Sequence, residues 1–135
     1  MTPRYEGGCL CGVVRYRTDA EPGPLFPCHR SRCRKARGSA FMAIMRVPAV
    51  AVQIAGAEAL RALRSSPDLC RQSCGRRGSP PLTHPDGMPD ILRLRAGSLG
   101  TPLPRMPEQH VFVGSKAPWD LICDQAPQHA ERSAS

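Results

Sequence analysis

Apolar positions in this chain come in short runs interrupted by proline and glycine. Val13-Val14-Arg15-Tyr16-Arg17 joins β-branched and aromatic residues behind a glycine-rich turn and predicts a strand. Phe41 to Val47 is an apolar run of strand length stopped by Pro48, and Val50 to Ile54 is a second, ending near Gly56. Ile91-Leu92-Arg93-Leu94-Arg95 alternates apolar and basic residues over its last positions, as a half-buried strand does. Val111-Phe112-Val113 predicts one more short strand. Leu60 and Leu63 fit a strand or a short helix equally well. After Lys35 there is room for at most one helical turn before Gly38. Ser65-Ser66-Pro67 marks a turn, and Gly75 to Pro85, with Pro80-Pro81, reads as turn-forming, poor material for a central strand. From Gln125 the chain is polar and reads as a frayed end.

This pattern predicts a mainly β fold: a single small domain of short strands folded around cysteine turns. Composition sharpens the picture. With 135 residues the chain is one domain by length, but aromatics make up only 4% and prolines number 15. So few large side chains argue against a thick apolar interior and for ties other than burial. Seven cysteines are available for that task, grouped as Cys9-Leu10-Cys11, Cys28 with Cys33, Cys70 with Cys74, and a separate Cys123. The N-terminal segment has no apolar run resembling a signal peptide and nothing approaches a membrane span, which points to a reducing cytoplasm. There, clustered cysteines are metal ligands or redox groups more often than disulfides.

Cys28 and Cys33 flank His29 and lie among four cations, Arg30, Arg32, Arg34 and Lys35. Nearby positive charge favours the thiolate form, which is also the zinc-binding form. The net charge of +8 attracts anions in general, from nucleic acid to a carboxylate-bearing metabolite. Nucleic-acid readers usually add stacking aromatics or a recognition helix. Trp119, Tyr5, Tyr16 and three phenylalanines are too scattered for such a platform, so nucleic acid is a poor candidate partner.

The ordered motifs resemble the glutathione-dependent formaldehyde-activating enzyme family. The matching pieces are Gly8-Cys9-Leu10-Cys11-Gly12-Val13-Val14-Arg15-Tyr16, Cys28-His29 through Cys33-Arg34-Lys35, and Gly38-Ser39-Ala40-Phe41. Further on come Ser65-Ser66-Pro67, Arg71, Cys74, Gly78-Ser79-Pro80, Gly97-Ser98-Leu99, and the run from His110 to Trp119. The resemblance implies one domain over residues 1–128 stapled by zinc, with a disordered tail at 129–135. It implies a structural zinc ion held by a Cys-x-Cys turn and a distant cysteine turn, here Cys9, Cys11 and Cys74. A second, catalytic ion falls to Cys28 and Cys33. The implied activity is that of a carbon–sulfur lyase, in which a thiol such as glutathione adds to a small aldehyde such as formaldehyde. Arg32, Arg34 and Lys35 are then the implied contacts to the thiol's carboxylates.

The departures matter as much as the matches. Arg30 stands where the family has a cysteine in the middle motif, and Arg77 where it has one in the last. A guanidinium offers no lone pair to zinc, so the resemblance leaves three thiolates at one site and two at the other. Cys70 is a replacement ligand only if the backbone curls back, and His29 only if it turns inward. Cys123 reads as a buried small residue, and His84, His110 and His129 as ordinary surface or core residues. Two readings stay open: a zinc enzyme with activity impaired by Arg30 and Arg77, and a non-catalytic, zinc-poor β domain that binds an anionic ligand, protein or nucleic acid.

Overall fold

The computed structural model describes residues 5–66, 69–75, 81–85 and 90–132. The protein is mainly β, with antiparallel sheets. Its strands are β1 (Tyr5–Gly8), β2 (Arg15–Thr18), β3 (Phe26–Cys28), β4 (Met42–Pro48), β5 (Val52–Ala55), β6 (Leu60–Ser66), β7 (Leu69–Cys74), β8 (Leu82–Pro85) and β9 (Ile91–Arg95), with one helix, α1 (Ser31–Arg37). The chain divides into two compact units, residues 1–23 with 45–104 and residues 24–44 with 105–135.

In the larger unit, β1, β2 and β5 form a three-stranded sheet in that order. Tyr16 and Thr18 are buried while Arg15 and Arg17 face water, the alternation that a two-residue period produces. The strand expected from Val13 begins two residues later. Val14 remains in the turn because its N–H and C=O both bond back to Cys9. A second sheet runs β4-β9-β8-β7-β6. Leu92 and Leu94 of β9 are buried as their alternation predicts.

In this unit one expectation is corrected and one open alternative is resolved. Leu82–Pro85, expected to be turn-forming, is a strand between β7 and β9; Leu82 pairs with Leu94, and both side chains are fully buried. Burial of that order, about 1.5–3 kcal/mol for each large apolar side chain, outweighs poor local propensity. Pro85 closes the strand, where a missing N–H interrupts the ladder least. The ambiguous stretch around Leu60 and Leu63 is strand β6, paired along its length with β7. The Gly78-Ser79-Pro80 motif, Arg77 and Pro67 lie outside the described residues.

In the smaller unit, β3 pairs with Met42–Ile44 at the start of β4, and Phe26, Cys28, Cys33, Met42, Ile44 and Val111 make the core. Helix α1 is longer than the single turn expected after Lys35 and begins before it. Arg, Lys and Ala are good helix formers, and three basic residues in the last turn suit the negative end of the helix dipole. Gly38 ends it in the left-handed conformation, with φ 64°. Val111 makes a bridge beside Cys28 rather than a strand; Phe112 is left-handed at φ 56°, and residues 113–115 form a 3₁₀ turn. Residues 127–131 hydrogen-bond to residues 110–114, so the segment drawn as a tail begins within this pairing.

Candidate metal and thiol sites

The first site is built on the turn between β1 and β2. Cys9 leaves β1, its C=O accepts the N–H of Gly12 at 3.1 Å, and Gly12 takes φ 81°, a conformation that costs a side-chain-bearing residue energy. The Val14 N–H then points at the Cys9 sulfur, 3.3 Å away. Behind the turn, Gly56 packs so tightly that an added Cβ would lie 1.8 Å from the Val13 carbonyl oxygen. Cys74 arrives from the far end of β7, opposite Leu60, and is fully buried.

The Sγ atoms of Cys9 and Cys11 are 3.5 Å apart, and those of Cys11 and Cys74 are 3.6 Å apart. All three lie within 4.8 Å of one another. Four thiolates at 2.3 Å from a zinc ion would stand about 3.8 Å from each other. The three sulfurs therefore have the spacing of ligands to one ion, and the donor set suits zinc. Burial pushes the Cys9 thiol up, but the Val14 N–H and the neighbouring Cys11 and Cys74 thiols outweigh it and bring it down to about 7. Cys11 accepts a hydrogen bond from the Val13 N–H, yet partial burial and the two adjacent sulfurs leave it raised.

The second site joins the end of β3 to the first half of α1. The Cys33 S–H donates to the Cys28 sulfur across 3.3 Å, and both residues are buried. That bond raises the Cys28 thiol well above its ordinary value, burial adds to it, and Arg30 only partly opposes them. Among the described residues no third Cys, His, Asp or Glu joins the pair. Arg30 precedes α1, with its guanidinium 5.2 Å from the centre of the Phe112 ring. The pair thus supplies two donors where a closed zinc site needs four and an open one three.

His29 does not turn towards these thiols. It is completely buried, its Nε2 lies 3.0 Å from Nδ1 of His110, and its Nδ1 lies 3.9 Å from a carboxylate oxygen of Asp120. His110 in turn meets the Asp124 carboxylate through Nε2 at 3.0 Å. Burial holds His29 below the usual imidazole value, and His110 adds to this. The bond from His110 holds the Asp124 carboxyl below its ordinary range. This chain of two imidazoles and a carboxylate was not legible in the sequence, where His110 read as an ordinary residue. Its partners are 81 and 14 residues away, so no local spacing marks it.

The remaining candidates are placed as follows. Arg32 and Lys35 are exposed on α1, and Arg34 is half-buried. At about 100° per residue, Lys35 sits on the opposite side of α1 from the inward Cys33. Strand β7 is continuous from Leu69 to Cys74, which separates the Cα atoms of Cys70 and Cys74 by about 13 Å; the curl that would recruit Cys70 does not form. Cys123, expected to be buried, is exposed, its S–H directed at the Leu121 carbonyl oxygen. No helix among the described residues is long and apolar enough to cross a membrane.

Comparison with known proteins gives matches to a family, to a curated relative and to solved structures. A family model described as "Glutathione-dependent formaldehyde-activating enzyme" matches residues 4–115. A Halomonas elongata protein, provisionally described by the same activity, is 30% identical over 122 residues, covering 84% of this chain and 78% of that protein. A crystal structure of a Rhodobacter sphaeroides protein superimposes with a TM-score of 0.61 at 18% identity, covering 73% of this chain and 91% of that one, and shares the fold.

Proposed function

We propose, from the premise that this chain belongs to the glutathione-dependent formaldehyde-activating enzyme family, that it is a cytoplasmic zinc-dependent carbon–sulfur lyase whose working part is the expected module over residues 1–128 together with residues 129–131, which pair with it. It adds the S–H of a thiol such as glutathione across the C=O of a small aldehyde such as formaldehyde: the S–H bond breaks, S–C and O–H bonds form, and the product is an S-hydroxyalkyl thioether with no net oxidation or reduction. The observation that supports the reading most is that Cys9, Cys11 and Cys74, 63 residues apart at their widest between neighbouring sulfurs, meet with the spacing of ligands to a single ion.

In this reading Cys9, Cys11 and Cys74 hold a zinc ion that fixes the β1–β2 turn. Cys28 and Cys33 are the catalytic thiols, and with a third donor from outside the pair they would hold a second ion, which would supply Lewis acidity towards the aldehyde or the incoming sulfur. The chain's own contribution is positional. The β3–α1 junction presents the two sulfurs together, the His29–His110–Asp124 chain fixes the backbone between them, and the surrounding core excludes water. Arg32, Arg34 and Lys35 offer cations to the carboxylates of the thiol from α1, with Arg34 the nearest of them to the inward face.

The alternative, a non-catalytic domain binding an anionic ligand, is favoured by one observation: only two donors face each other at Cys28 and Cys33, with Arg30 at the head of the same helix. Exchange NMR on ¹³C-formaldehyde and glutathione separates the two. Zinc-loaded protein should speed formation of the adduct, and Cys28→Ser should abolish the gain. A rate equal to that of buffer, with zinc bound, overturns the enzymatic reading.

A further inference from the structure

The cluster of Cys9, Cys11 and Cys74 has three corners of a ligand tetrahedron, and the described residues supply no fourth. The residues that follow Cys74 and Gly75 are Arg76-Arg77-Gly78-Ser79-Pro80, which contain no thiol, imidazole or carboxylate. The Cα of Cys70 is tied opposite Arg64 and His84 by the β6–β7 and β7–β8 ladders, four extended residues from Cys74. Among the described residues, no other Cys, His, Asp or Glu belongs to the group.

The cluster is also reachable. Cys9 and Cys74 are buried, but Cys11 is half-exposed, and Leu10 between the two turn cysteines is 81% exposed. Three thiolates around a divalent cation carry a net negative charge, and a fourth anionic donor deepens it. Three protein ligands with an accessible fourth position are the arrangement of a site that exchanges ligands, not of a closed structural one.

We propose that Cys9, Cys11 and Cys74 form an open zinc site whose fourth position accepts the sulfur of a small external thiol. The thiol's proton passes to solvent, its sulfur lone pair forms the new bond to the ion, solvent leaves, and no electron is transferred. The proposal goes beyond the lyase reading, which assigns the chemistry to Cys28 and Cys33, and it stands or falls without any turnover.

The test uses the full chain carrying Cys28→Ser and Cys33→Ser, loaded with cobalt(II) and titrated with 2-mercaptoethanol. One cobalt should bind per chain, and the near-ultraviolet sulfur-to-cobalt band should rise by about a third as three thiolates become four. In parallel, the unmodified chain is loaded with ¹¹³Cd. The resonance that Cys11→Ser removes should move downfield when the thiol is added. A band or resonance unmoved by millimolar thiol, or a four-sulfur spectrum before any is added, overturns the proposal. So does failure of the unmodified chain to bind cadmium at Cys11.

Discussion

Replacing Cys74 by serine probes the physical core of the site assignment. The side chain is fully buried and its sulfur lies 3.6 Å from that of Cys11. Exchanging a buried thiol for a hydroxyl costs about 1–2 kcal/mol in the metal-free protein. That is a minor part of the roughly 5–15 kcal/mol that stabilises a domain, so the variant should fold. The larger effect appears with metal. Zinc held at about a hundredfold excess over its dissociation constant adds about 2.7 kcal/mol to the native state. For a chain of this length that is worth about 8 °C in melting temperature. Two remaining thiolates hold the ion far more weakly than three, so most of this gain should vanish. The assay is differential scanning fluorimetry with zinc and with EDTA. The unmodified chain should melt several degrees higher with zinc, Cys74→Ser should show little difference, and Cys123→Ser, at an exposed thiol, should behave as the unmodified chain. An equal zinc-dependent rise in Cys74→Ser would refute the assignment of Cys74 as a ligand.

Arg30→Cys should add a third donor near Cys28 and Cys33 and raise the zinc content measured by elemental analysis; in EDTA it should melt slightly lower, since the contact with Phe112, worth about 0.5–1 kcal/mol, is lost. An unchanged zinc content would mean that residue 30 cannot reach the pair. With EDTA present, stability in urea should fall on acidification in two stages. His29, held below the imidazole value by burial and faced by His110, Asp120, Lys116 and Asp124, costs stability as pH drops from about 6.5 through its lower folded value. Asp124, also depressed, contributes fully above the ordinary carboxylate range and loses its contribution as pH falls through its folded value. Asp124→Asn should flatten the second stage and, by removing a charge that favours protonated His29, deepen the first; a loss of stability on raising pH across this range would reverse the sign of the argument. Hydrogen exchange should respond unevenly to chelation: the Gly12 and Val14 amides should lose protection while those of His29 and His129 keep theirs.

Much of the fold was legible because local chemistry and tertiary demand agreed. The alternation in Ile91–Arg95 gave β9 and its buried leucines directly. The glycine-rich turn at Cys9 to Gly12 was also readable, since the positive φ of Gly12 is what glycine at that place allows. Errors arose where a distant partner decided the outcome. Leu82–Pro85 is a strand because β7 and β9 flank it, which no window of eleven residues containing Pro80-Pro81 discloses. The helix over Ser31–Arg37 was hidden by a cysteine pattern that drew attention to ligation rather than to Arg, Lys and Ala propensity. His110 and Asp124 were missed because imidazole–carboxylate pairing depends on where a long loop returns. Resemblance, not periodicity, supplied the pairing of Cys9 and Cys11 with Cys74.

The two cysteine clusters are supported in different ways, and this explains how the chain tolerates arginine at position 30. In the smaller unit, order around Cys28 does not depend on a metal. Val111 bonds to Pro27 and His29 on one side, residues 127–131 pair with 110–114 on the other, and two imidazoles and a carboxylate lock the junction from within. Arg30 adds to this by covering the Phe112 ring, so losing a donor there removes chemistry before it removes structure. In the larger unit, the described residues bring Cys74 to Cys9 and Cys11 through sulfur contacts, with apolar neighbours such as Val14 and Leu60 around them. A metal at that point would join segments that lie far apart along the chain. On the proposed assignment, three thiolates there would hold an ion and leave its fourth position exchangeable. A missing thiolate would then act differently at the two clusters: at Cys28 and Cys33 it leaves too few donors for an ion, and at Cys9, Cys11 and Cys74 it would leave one position open to an outside ligand.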